Sequence, residues 1–178
     1  MVRFTFRLAA FALCALLLAP VTAFAADGSS DFDFLIGSWK TQQHKLKKRL
    51  ANNNEWETFE SELHVKKLPA GMGNMDELNM PKATGLTIRL FDPKTQLWSI
   101  YWIASNNPVM DTAPVVGKFN GNVGEFFCDD VQEGRKVRVR YTWTNLGDGK
   151  ATWAQAFSPD GGKSWETNWK AEFTRVAS

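Results

Sequence analysis

Cysteine is nearly missing from this chain of 178 residues, which has only Cys14 and Cys128. Cys14 sits inside an apolar N-terminal run, so Cys128 stands alone in the remainder and no internal disulfide is available to it. Flanked by Phe127 and Asp129, Cys128 reads as a small buried hydrophobe instead of a nucleophile. Histidine is equally scarce: His44 and His64 have polar or charged neighbours that suit a solvent face, and neither makes a Cys/His couple. A zinc site wants three or four clustered ligands, so none is expected. Charge of one sign is lacking as well. The chain has 21 basic and 19 acidic residues, and Arg3 and Arg7 belong to the N-terminal run, which leaves 19 of each. A neutral chain has no long-range field to gather nucleic acid or an anionic membrane surface. The basic cluster KLKKR, Lys45 to Arg49, adjoins ANNN and reads as a solvated loop.

The single long apolar run, LAAFALCALLLAPVTAFA, follows Arg3 and Arg7 and closes on Ala23-Phe24-Ala25. A basic start, a short apolar core and small residues in an A-x-A arrangement make a secretory signal peptide. The run falls short of the ~20 residues of a comfortable membrane span, and no second one follows. The expectation is cleavage near Ala25, export to the periplasm or beyond, a short linker over 26–30 and a domain over 31–176 with no membrane span.

Helical periodicity is also nearly absent. Aromatic and β-branched runs bounded by Gly, Pro, Asn and Asp recur at short intervals instead. After a helical turn at DFDFLIG, Asp31 to Gly37, strands are expected near 38–45, 55–66, 73–80, 84–91, 97–104, 114–119, 123–128, 135–144, 151–158 and 165–175. The links carry turn chemistry, as in DPKTQ at 92–96, FNGN at 119–122 and LGDGK at 146–150. Short links between strands favour antiparallel neighbours, and a meander of about ten strands loses its exposed edges by closing on itself. The fold expected is all-β, a single antiparallel up-and-down barrel. One link, SPDGGKSW at 158–165, fits the Asp-box turn of sialidase propellers. That motif gains meaning by repetition, and here it occurs once. It reads as a turn in which Asp160 accepts from backbone N–H groups and Trp165 packs above.

GSW, Gly37 to Trp39, opens the first strand, and FTR, Phe173 to Arg175, closes the last. This pattern resembles the signature of lipocalin-type, or calycin, barrels. The resemblance implies that Arg175 stacks across Trp39 and plugs the closed end, a cation–π contact. The wider string DFDFLIGSW, RLFDPKTQLWSIYW, VRYTW and WAQAFSPDGGKSWETNWKAEFTR resembles a bacterial domain-of-unknown-function family with a lipocalin-like fold, many of whose members are small secreted proteins. The likeness covers about residues 31 to 176 and implies no settled activity. Nitrobindin-like barrels of the same superfamily hold haem through a histidine on a late strand. The last strands here have no histidine, so no haem or other cofactor is expected.

What the sequence does have is tryptophan, eight in all. Trp98, Trp102, Trp143 and Trp153 lie on expected strands, interleaved with Arg89, Arg140, Gln155 and Asn168. A mostly apolar cavity with a few placed polar groups is the usual make-up of a small-molecule site, and these eight residues are the ligand-binding candidates. A barrel packed solid, with Arg and Gln on its surface, is the other reading. Alternation does not decide between them. If Ser158 pairs with Trp165, then Gln155 faces Asn168 on one side with Trp153 and Phe157, while Trp165, Trp169, Ala171, Phe173 and Arg175 take the other. A β-bulge would reconcile two aromatic faces. The side of Trp153, Gln155 and Asn168 is taken as lumen-facing, near the mouth.

Three functions fit this frame. A binding protein would shelter a small, partly apolar molecule, with Arg89 and Arg140 as directed donors. A hydrolase or isomerase would need a base such as Glu77, Glu125 or Glu172, and the spacing singles out none of them. An interaction module would dock a partner on an exposed aromatic patch around Trp56 or Trp165.

Overall fold

The computed structural model describes residues 27–110 and 113–177. The expected signal peptide, with Cys14, lies outside the described residues. Two 3₁₀ turns, Gly28–Ser30 and Asp33–Leu35, precede ten strands. These are β1 Gly37–Leu46, β2 Trp56–Lys67, β3 Gly73–Met80, β4 Ala83–Asp92, β5 Leu97–Ala104, β6 Val115–Asn120, β7 Val123–Gln132, β8 Arg135–Gly147, β9 Lys150–Ser158 and β10 Glu166–Arg175. Each pairs antiparallel with the next, and β10 returns to β1, so the meander is a closed barrel with the architecture of a calycin-like cup.

Two boundaries differ from expectation for physical reasons. The helical segment begins earlier, at Gly28, where the Asp27 side chain accepts from the Ser29 N–H. Strand β7 runs four residues beyond Cys128, because Glu133 and Gly134 both take positive φ and make a two-residue turn after Gln132. The charged stretch DDVQ thus extends a hairpin whose outer part is exposed, where no apolar alternation marks it as strand.

The links β2–β3, β4–β5, β6–β7 and β8–β9 share the barrel end that receives the N-terminal segment. Phe32 and Leu35 there are fully buried. Phe32 meets Trp98 edge-on at 5.0 Å and Phe119 at 4.9 Å, and stacks near Phe126 at 5.5 Å. Offset and edge-on aromatic contacts of this kind each add roughly 0.5–1.5 kcal/mol beyond burial. Trp39, 2% exposed, pairs in register with Arg175, whose guanidinium carbon lies 4.3 Å from the indole centroid. Arg175 also donates to the carbonyls of Ile36, at 2.6 Å, and Phe34, while Trp39 Nε1 donates to Leu35 O at 2.7 Å. Each of these carbonyls belongs to the incoming segment, so one cross-strand pair ties that segment to the barrel floor. Gly37 serves the same contact: its φ is +120°, and a Cβ would fall 2.7 Å from Arg175 Nη1.

The turn at 158–165 is a local hydrogen-bonded clamp. Asp160 Oδ1 accepts from the N–H groups of Lys163 and Ser164 at 3.0 and 2.9 Å, and from the Ser158 hydroxyl at 2.7 Å. Its Oδ2 accepts from the Ser164 hydroxyl at 2.6 Å, and Trp165 Nε1 donates to Gly162 O at 3.1 Å. The Ser164 hydroxyl, then the Ser164 N–H and the Ser158 hydroxyl, hold the Asp160 carboxyl well below the ordinary carboxylate range. A carboxylate whose pKa is depressed on folding adds stability that is present above its unfolded pKa of about 3.9 and fades as pH falls further. Asp160→Ala is therefore expected to lower the melting temperature at pH 7. The gap to wild type should narrow as thermal melts are taken progressively below pH 4.

Candidate ligand-binding cavity

Alternation along closed strands sends every second side chain inward, and here the inward set does not fill the barrel. A cavity of about 630 Å³ reaches from the interior to the loops opposite the plugged end, including Pro81, Asn107 and Gln132. A cluster of aromatic side chains forms part of its wall. Trp169 stands edge-on to Trp153 at 5.4 Å and to Trp102 at 6.3 Å, Trp153 meets Tyr141 at 5.2 Å, and Trp143 meets Phe173 at 5.1 Å. Room for the Trp102 ring comes from Gly85 on the adjacent strand, where a Cβ would fall 1.9 Å from Trp102 Cη2.

The two faces of the last hairpin are reconciled by a bulge. Thr167 pairs with Ala156, but Trp169 pairs with Gln155, so Asn168 is the extra residue. Beyond it Trp169, Ala171 and Phe173 turn inward and join Gln155 and Trp153 along the cavity. The expectation that these two groups occupy opposite faces is thereby corrected. Asn168 is fully buried behind Gln155 and accepts its Nε2–H at 2.8 Å.

Polar groups among the aromatics are mostly satisfied, as burial requires. Trp169 Nε1 donates to Gln43 Oε1 at 2.8 Å, and Gln43 Nε2 donates to Thr41 Oγ1 at 2.8 Å and Ser61 Oγ at 3.2 Å. Deeper, Arg89 Nη1 donates to Asn74 Oδ1 at 3.0 Å and lies 2.5 Å from Asp76 Oδ2. The Arg89 guanidinium sits over Phe32 at 5.2 Å and Trp143 at 5.3 Å, which fixes this group at the cavity floor, against the plug. Asp76 and Arg89 are 1% and 2% exposed. Even so, neither Asp76 oxygen nor Arg89 Nε has an aligned hydrogen-bond partner.

Of the residues singled out from sequence, Arg89, Trp102, Trp143, Trp153 and Gln155 line the cavity. The other three do not: Asn168 is buried behind Gln155, and two lie elsewhere. Trp98 belongs to the closed-end core, where its Nε1 donates to Gly28 O at 2.9 Å. Arg140 is on the outer wall, 4.5 Å over the Trp165 ring and 4.0 Å from Glu125. The carboxylates considered as bases, Glu77, Glu125 and Glu172, are all exposed. Trp56 and Trp165 are half-buried, with Lys170 Nζ 4.8 Å over the Trp56 ring. Lys45 and Arg49 are not simply solvated. Both line the cavity mouth, Lys45 Nζ 4.2 Å over Trp169 and Arg49 5.5 Å over Phe157. Burial above all, and for Lys45 the neighbouring Arg49 charge, lowers the pKa of both. Cys128 is half-buried and also lines the cavity. Sequence reasoning missed Asp76, Asn74 and Gln43.

The chain matches no protein-family model and no curated protein. Among the described residues no helix is long and apolar enough to cross a membrane, and no three His, Cys, Asp or Glu side chains are grouped to hold a metal ion.

Proposed function

We propose that this protein binds a small, partly apolar molecule inside its barrel. The observation that carries the reading is the open, aromatic-walled cavity of about 630 Å³ with a polar group at its floor. That volume lies within the range of ligand pockets, and the lining combines an aromatic and aliphatic interior with polar and charged side chains at the floor and the mouth, which suits a partly apolar ligand. The leader MVRFTFRLAAFALCALLLAPVTAFA supports export before binding, and the string DFDFLIGSW with the late FTR supports kinship with secreted lipocalin-like proteins of bacteria. With Glu77, Glu125 and Glu172 outside, no base considered from sequence favours a hydrolytic or isomerising role.

The neutral fluorophore N-phenyl-1-naphthylamine tests the reading. Titrated into the protein, it is expected to bind one-to-one with a dissociation constant of about 200 µM or tighter, the value that ~0.3 kcal/mol per non-hydrogen atom gives for its size. Tryptophan emission should fall in step through energy transfer from the wall indoles. A fluorescence rise that never saturates, with tryptophan emission unchanged, would contradict the proposal.

A further inference from the structure

The polar group at the cavity floor carries information about what the cavity accepts. Asp76 is inside by register: β3 and β4 meet through Pro81-Lys82, and counting back from Met80 opposite Ala83 places Asp76 opposite Thr87 and Asn74 opposite Arg89. Asn74, Asp76, Thr87 and Arg89 are all buried, and Asp76, Thr87 and Arg89 line the cavity. Asp76 and Arg89 approach to 2.5 Å, so their charges cancel at the floor. Their hydrogen bonding is incomplete, however, with both carboxylate oxygens lacking an aligned donor and Arg89 Nε lacking an acceptor. A buried polar atom left in that state costs roughly 1–3 kcal/mol, so a group that supplies the missing partners is bound the more tightly.

We propose that Asp76, Arg89 and Asn74 form an anchor for a neutral end group that both donates and accepts hydrogen bonds, such as a primary amide or a hydroxyl, on an otherwise apolar ligand. This rests on the binding reading above. The Asp76 oxygens and Arg89 Nε have almost no accessible surface, so the end group enters by a small outward shift of the pair, after which its N–H or O–H donates to the Asp76 carboxylate and its oxygen accepts from Arg89. An anionic end would meet the buried Asp76 carboxylate, and a cationic end the buried Arg89 guanidinium. Either would lose its hydration without a net opposite charge to compensate. The mouth does not tip the balance, since it carries three charges of each sign, Lys45, Arg49 and Lys82 with Glu57, Asp129 and Asp130.

The test is displacement of N-phenyl-1-naphthylamine by octanamide, octanoate and octylammonium at pH 7, three probes with one apolar body. Octanamide is expected to displace the fluorophore at a concentration at least tenfold lower than either charged probe. In Asp76→Asn, where Arg89 is left without its counter-charge, the order should shift toward octanoate. If that variant does not fold, the wild-type series decides. Equal displacement by all three, or preference for a charged end, overturns the anchor and leaves the binding reading standing. Failure of the fluorophore itself to bind overturns both.

Discussion

Trp39→Ala is expected to destabilise the protein by about 3–5 kcal/mol, the range for deleting a buried tryptophan. Trp39 is nearly inaccessible, meets Phe173 edge-on at 6.5 Å, supports the Arg175 guanidinium at 4.3 Å and donates to Leu35 O. Its removal leaves a cavity at the closed end and loosens the 3₁₀ segment together with Arg175. For a domain near this size that loss lowers the melting temperature by roughly 10 °C or more. Arg175→Lys keeps the charge but not the fork that reaches both Ile36 O and Phe34 O. Its melting temperature should fall between wild type and Trp39→Ala, and thermal unfolding followed by far-UV circular dichroism orders the three.

Arg89→Met is expected to have an effect of similar size at the opposite face of the same plug. The substitution preserves a long apolar stem and strands the Asp76 carboxylate, 1% exposed, without its counter-charge. Breaking a buried ion pair by deleting one partner costs about 3–5 kcal/mol, whereas removing both charges costs much less. The double variant Asp76→Asn/Arg89→Met should therefore recover at least half of the loss in urea unfolding. If the double variant is as unstable as the single one, the cost belongs to lost packing over Phe32 and Trp143, and the charges at the floor are not coupled.

The barrel was legible in the sequence because its punctuation is local. Turn residues at 92–96, 119–122 and 158–164 mark where strands end, and nine of the ten expected strands agree with the structure to within three residues at either end. The exception, β7, ends in charged residues of an exposed hairpin, where burial imposes no pattern. The closing pair was legible too, since Gly37, Trp39 and Arg175 answer to one geometric demand, the approach of a guanidinium to an indole at the barrel floor.

The cavity lining was harder to read because alternation runs against the usual sense. On β4 the inward residues are Thr87 and Arg89, while Leu86, Ile88 and the exposed Leu90 face outward. An apolar-in rule assigns that strand backwards. On β3 the apolar Leu78 and Met80 share the inward face with Asp76, and register arithmetic from the Pro81-Lys82 turn carries that phase across to Thr87 and Arg89. The inward set of β10 could not be fixed in this way. A bulge at Asn168 shifts the phase by one residue, and the burial that rewards it, of Asn168 behind Gln155, arises only once β9 and β10 are packed in the barrel.

If ligands enter the barrel cavity, blocking its mouth should abolish binding. Ala104 is half-buried at the end of β5, lines the cavity and lies across from Gly85. N-phenyl-1-naphthylamine should be titrated in parallel into wild type and Ala104→Trp, with melting temperatures taken on the same samples. One-to-one saturation is expected in wild type, and at least tenfold weaker binding in a variant that still unfolds cooperatively. Equal binding by the two folded proteins would place the ligand elsewhere and contradict binding inside the barrel.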